Sequence, residues 1–82
     1  MSYFVYMLIC EDASFYLGST PDVEKRFLIH LLGKGGSYTR SHKPLKIVYT
    51  EELPDKSSAL KREHELKQLT HLQKKNLVVD FG

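Results

Sequence analysis

The sequence predicts a small α+β domain: a three-stranded sheet with helices packed on it, in the order β-β-α-β-α-α. Three observations carry this. Three short runs rich in Val, Ile, Tyr and Phe have the length of strands, and the first two are close enough to form a hairpin. Two longer segments have apolar residues at helical spacing and open on helix-start residues. The glycines and prolines fall between these segments.

"YFVYMLIC", Tyr3 to Cys10, is apolar at successive positions, which suits a central strand covered on both faces. "EDAS" interrupts it and "FYLG" resumes, giving a hairpin and an at least partly antiparallel sheet. "TPDVEKRFLIHLL" reads as a helix: Thr20 can cap it, Pro21 suits the first helical position, and Asp22 and Glu24 complement the dipole. Val23, Phe27 and Leu31 form its apolar stripe, and Gly33 can end it. "GKGGSYTRSHKPL" reads as a loop. "KIVYTEEL", Lys46 to Leu53, is the third strand. Asp55 then caps a helix running to about Leu69, and Thr70 a last short one ending near Leu77.

A chain of 82 residues has room for one domain, expected over 1–82, near the lower size at which a core suffices. A lone cysteine, Cys10, excludes an internal disulfide and a cysteine-based zinc site; it lies in an apolar run and reads as a buried free thiol. The absence of a leader-like segment or a membrane-length apolar run points to a cytoplasmic protein without membrane attachment. His42, His64 and His71 read as solvent-facing or structural, since their spacing fits no metal motif.

Charge is unevenly placed. From Lys25 to Thr50 there is no acid, while Lys25, Arg26, Lys34, Arg40, Lys43 and Lys46 occupy the window with His30 and His42. Acids flank it at Asp22 and Glu24 and at Glu51 and Glu52. A basic block containing a Gly-rich stretch and Tyr38 suits a polyanion such as a nucleic-acid backbone; the ordinary alternative is a solvated basic loop. Lys34, Tyr38, Arg40 and Lys43 are the candidate contacts.

Polar residues intrude on the apolar stripes. In "LKREHEL" the face that carries Ala59, Leu60 and Leu66 has Glu63 between them. Arg26 and His30 are four residues apart, on one side of the first helix at the rim of its stripe. Tyr6 and Tyr16 share a sheet face if the hairpin loop has three or five residues, and lie on opposite faces if it has four. Singly, each has an ordinary reading as a packing or paired residue, although a buried Arg–Glu pair is expensive. Jointly they suit phosphodiester cleavage. A carboxylate can hold one divalent cation, an arginine can bind the scissile phosphate in a bidentate manner, and a tyrosine can act as base if a cation lowers its pKa from about 10. The carboxylates are too few for a two-metal site.

"FVY" at Phe4–Tyr6 with "YLG" at Tyr16–Gly18, "TPDVEKRFLIH", "GKGGSYTRSHKPLKIVY" and "ALKRE" together resemble the signature of the GIY-YIG nuclease superfamily, most closely its small stand-alone bacterial members. The resemblance spans Tyr3 to about Leu77. It implies a three-stranded antiparallel sheet flanked by helices and metal-dependent cleavage of DNA, with branched or damaged DNA among the expected substrates, and one Mg2+ or Mn2+. By position it makes Tyr6, Tyr16, Arg26 and His30 catalytic and Glu63 the metal ligand. A Tyr6/His30 pairing is expected, with Tyr16 orienting water or phosphate. Phe4 replaces the glycine of the first motif, Val5 its isoleucine, and Leu17 the isoleucine of the second. Asn76 lies roughly where some members use an asparagine. Larger members carry extra domains, so a protein partner supplying specificity is a further expectation. The alternative is a nucleic-acid-binding module that needs a partner or does not cleave.

Overall fold

A computed structural model describes residues 2–81. The elements are β1 (Tyr3–Cys10), β2 (Phe15–Thr20), α1 (Val23–Leu31), α2 (Ser37–Ser41), β3 (Pro44–Leu53), α3 (Lys56–Lys67) and α4 (His71–Phe81). The expected α+β order is present, with one addition: the segment read as a loop contains the short helix α2. The three strands form an antiparallel sheet in the order β2-β1-β3. β1 is central, and Val5, Tyr6, Met7 and Leu8 are all buried, which is why its sequence lacks alternation.

The hairpin register places Tyr6 opposite Gly18 and Leu8 opposite Tyr16. Tyr6 and Tyr16 therefore lie on one sheet face. The turn sets this register. Ala13 N–H donates to Cys10 O and Cys10 N–H to Ser14 O, each at 2.9 Å, and Ala13 takes φ +67°. This is a three-residue loop, a tight turn followed by a left-handed residue.

The other sheet face carries the core. Val5, Met7, Leu17 and Val48 pack with Ala59 and Leu66 of α3, and Leu69, Leu77 and Val78 extend the cluster toward α4. Leu60, expected on the core stripe, is 48% exposed. The inward line is Ala59, Glu63, Leu66, spaced four and then three residues, and Leu60 stands one position round from it. Arg62 Nε reaches both Glu51 oxygens of β3 at 3.0 and 3.1 Å, and Tyr49 donates to the same carboxylate at 2.8 Å. This clamp fixes the rotation of α3 and so the direction of Glu63.

α1 begins later than expected. Asp22, not Thr20, is its cap and accepts from Lys25 N–H at 3.1 Å, while Thr20 ends β2 and its hydroxyl accepts from Asp22 N–H at 3.2 Å. Pro21 lies between them, outside the helix. Leu31, placed on the apolar stripe, is 43% exposed. The helix closes as expected at Gly33, with φ +75°: Gly33 N–H donates to His30 O and Lys34 N–H to Ile29 O, each at 3.0 Å. Asp55 caps α3 through Ser58 N–H at 2.7 Å. Thr70 and Gln73 cap α4 reciprocally, at 2.9 and 3.2 Å, and α4 runs past Leu77 to Phe81. Cys10 is a buried free thiol.

Candidate active site

The Schellman ending of α1 turns the chain back over the sheet face that carries Tyr6. His30, in the last turn, points at that face and is 1% exposed, as is Tyr6. Tyr6 Oη lies 2.8 Å from His30 Nε2, and His30 Nδ1 lies 2.7 Å from Thr39 Oγ1 of α2. Three buried polar side chains from β1, α1 and α2 thus form one chain. Burial first, then the Arg26 charge, lowers the His30 pKa, so the ring is neutral at neutral pH. Burial is also the largest cause raising the Tyr6 pKa, followed by the electrostatic effect of Tyr16. The Arg26 guanidinium opposes that rise, and the Glu63 charge adds to it. Arg26 is donor-only, so the phenol can accept from it while donating to Nε2. His30 Nδ1–H then donates to Thr39 Oγ1, and the row is satisfied from end to end.

Two glycines make room for it. A Cβ on Gly18 would meet Tyr6 Oη at 2.5 Å, and one on Gly35 would meet His30 Nδ1 at 2.2 Å. Gly18 is the position opposite Tyr6 in the ladder, so the phenol lies across the β2 backbone. Gly35 lets the loop between α1 and α2 close over the imidazole. Thr39 and Gly35 escaped the sequence reading, although the doubled glycine of "GKGG" was a signal of close backbone approach.

Tyr16 is half-buried beside this pair, its ring centroid 4.9 Å from that of His30 and 6.3 Å from that of Tyr6. Arg26 is exposed at the mouth of the site, next to a shallow depression shared with Thr20, Lys25 and Ile29. Glu63 projects inward with 16% of its side chain exposed and pairs with Lys67 Nζ at 2.8 Å. Its partner is therefore Lys67 on its own helix, and this i,i+4 contact stands in place of the Arg–Glu pair weighed from the sequence.

The basic residues divide. Lys34 and Arg40 are exposed around a cavity of the Gly33–Arg40 segment. Lys43 is exposed and lies 3.9 Å from Glu11. Tyr38 stacks on His42, with centroids 4.1 Å apart and planes 7° apart, and on Tyr16 at 5.9 Å. Its hydroxyl donates to Ser14 Oγ at 2.7 Å. His42 is thus partly buried in that stack, His64 bonds Gln68 at 2.9 Å, and His71 stacks on Phe15 at 5.0 Å. Asn76 is exposed on α4.

Among the described residues no three His, Cys, Asp or Glu side chains gather as a metal cage. A single inward carboxylate fits a different kind of ion, one that keeps most of its water and takes further oxygen ligands from phosphate, as Mg2+ does.

A family model described as the GIY-YIG catalytic domain matches residues 2–76. A UPF0213 protein of Natronomonas pharaonis is 44% identical over 78 residues, covering 95% of this chain and 92% of that protein. The solution NMR structure of a UPF0213 protein from Bacillus halodurans is 42% identical with a TM-score of 0.59, covering 96% of this chain and 84% of that one. A second NMR structure, of an E. faecalis protein, is 36% identical with a TM-score of 0.64, covering 99% and 86%. With tyrosines, arginine and glutamate standing at the positions described, this chain belongs to the GIY-YIG family of nuclease-type domains.

Proposed function

We propose that the protein is a phosphodiester hydrolase acting on nucleic acid, in the first place DNA, with one divalent cation, Mg2+ or Mn2+. The observation that carries this reading is the buried Tyr6–His30 hydrogen bond, continued from His30 to Thr39. A structural tyrosine needs one partner for its hydroxyl. A neutral imidazole that is also held at its second nitrogen is a poised proton acceptor.

Arg26 binds and orients the scissile phosphate from the mouth of the site, which places that phosphate beside the Tyr6 hydroxyl. Tyr6 takes a proton from the attacking water as it passes its own to His30 Nε2, so no phenolate has to accumulate. Thr39 holds the imidazole tautomer that can accept. Tyr16 borders the same space and orients water or phosphate. Glu63 would hold the cation once Lys67 lets it go, and the bound cation would supply charge neutralisation at the departing oxygen. Lys34, Tyr38, Arg40 and Lys43 lie outside this centre and suit contact with the backbone of a polyanion, branched or damaged DNA included.

One observation favours the alternative, a binding module that cleaves only with a partner or not at all: Glu63 is already satisfied by Lys67. The test is nicking of supercoiled and branched DNA with Mg2+ or Mn2+, comparing the native chain with Glu63→Gln. Metal-dependent cleavage lost in the variant supports the hydrolase. Binding that is equal in both proteins, with cleavage by neither, supports the module.

A further inference from the structure

Against the outer edge of β2 lies a cavity of about 240 Å³ lined by Phe15, Tyr16, Leu17, Tyr38, Lys67 and Lys74. We propose that it receives one unpaired nucleotide of the substrate, its base laid against the aromatic wall and its phosphate on the two lysines. This deepens the hydrolase reading and rests on it for the nature of the polyanion.

The composition of the wall is the first argument. β2 is an edge strand, and the cavity bridges its two faces: Tyr38 comes from α2 on one side, Lys67 and Lys74 from α3 and α4 on the other. Aromatic faces beside ammonium groups are what a base with its phosphate requires, because every base has a π-face and stacking tolerates sequence. Size is the second. A cavity of ~150 Å³ holds benzene, so this one suits a single heterocyclic base rather than a stacked pair.

Position is the third. Tyr16 is a wall of the cavity and also borders the Tyr6–His30 pair, so a nucleotide here lies one ring away from the proposed reacting centre. Lys67 links the two regions directly, because its ammonium is the group that holds Glu63. A phosphate on Lys67 competes with that carboxylate, so occupation of the cavity releases Glu63 for a cation. Duplex with every base stacked cannot fill the cavity. A bulge, flap or single-stranded end can, since its unpaired base costs little to extrude.

The probes are three DNA duplexes: one with a single bulged thymidine, one with an abasic residue at that bulge, and one blunt. Binding is measured by fluorescence anisotropy in EDTA, which keeps binding separate from cleavage. The native chain should prefer the bulged thymidine over the other two by at least about fivefold, the scale of one base–aromatic stack. Lys74→Glu should lose that preference; Tyr38→Leu should lose it as well, and it decides the matter if Lys74→Glu fails to melt cooperatively. Equal native affinity for bulged and abasic duplexes overturns the proposal, as does a preference intact in both variants. Plasmid nicking run in parallel separates the two readings: preference without nicking removes the hydrolase alone, and nicking without preference removes the nucleotide cavity alone.

Discussion

The Tyr6 hydroxyl and His30 Nε2 are 2.8 Å apart between β1 and the last turn of α1, with each residue 1% exposed. A buried polar contact across two elements must be completed, and Thr39 completes this one at Nδ1, 2.7 Å away.

Tyr6→Phe should therefore cost stability as well as activity. It leaves Nε2 buried without its donor, at a cost of about 1–3 kcal/mol. A double-mutant cycle with His30→Phe should return a coupling of ~0.5–3 kcal/mol by urea unfolding. Independent, additive effects would mean that the two groups do not act on one another.

Gly35→Ala tests the closeness of the loop to the imidazole. The added Cβ would stand 2.2 Å from Nδ1, and displacement of the loop should lower stability by about 1–3 kcal/mol. Thermal melting reads this. Gly36→Ala is a different case: it meets no neighbour within 4 Å but sits at φ +131°, so any loss there reflects backbone strain alone.

Stability should fall in mild acid. The folded pKa of His30 is lowered by burial, so its contribution is fully present above its unfolded value of ~6.5 and is lost as pH falls through that value toward the folded one. Urea midpoints between pH 5 and 8 should show this slope, and His30→Phe should flatten it. Tyr6 gives the opposite limb: its folded pKa is raised, so stability is lost as pH rises above its unfolded value of ~10.

Lys67→Ala should free Glu63. The pair is an i,i+4 contact with the lysine more than half exposed, so thermal stability should change by no more than about 0.5 kcal/mol. Affinity for Mn2+, read by titration calorimetry, should rise, and Glu63→Gln in the same background should abolish the gain. An unchanged affinity would argue against Glu63 as the ligand.

The residues of the candidate site are legible in the sequence as candidates, while their arrangement is not. Tyr6, Tyr16, Arg26, His30 and Glu63 stood out because each interrupts or borders an apolar pattern. Whether the tyrosines share a face depended on a loop whose left-handed residue is Ala13, where a glycine would have given the turn away. Thr39 was invisible because its contact with His30 closes a segment that reads as loop by its glycines, and α2 is too short to show periodicity. Leu60 and Leu31 stand at helix positions beside the true stripe, where a leucine can sit in solvent at little cost, so apolar content there does not report burial. Lys67 as partner of Glu63 needed only the i,i+4 rule.

Cleavage of one supercoiled plasmid in Mn2+ by the native chain, Tyr6→Phe and Glu63→Gln, side by side at pH 7.5 (roughly a unit above the ordinary histidine pKa), tests the account most directly. The native chain should nick it, with at least about a hundredfold loss in folded Tyr6→Phe, the scale of a removed acid–base group, and a comparable loss in folded Glu63→Gln. Native-rate cleavage by folded Tyr6→Phe would contradict the account and reduce the Tyr6–His30 pair to a structural contact.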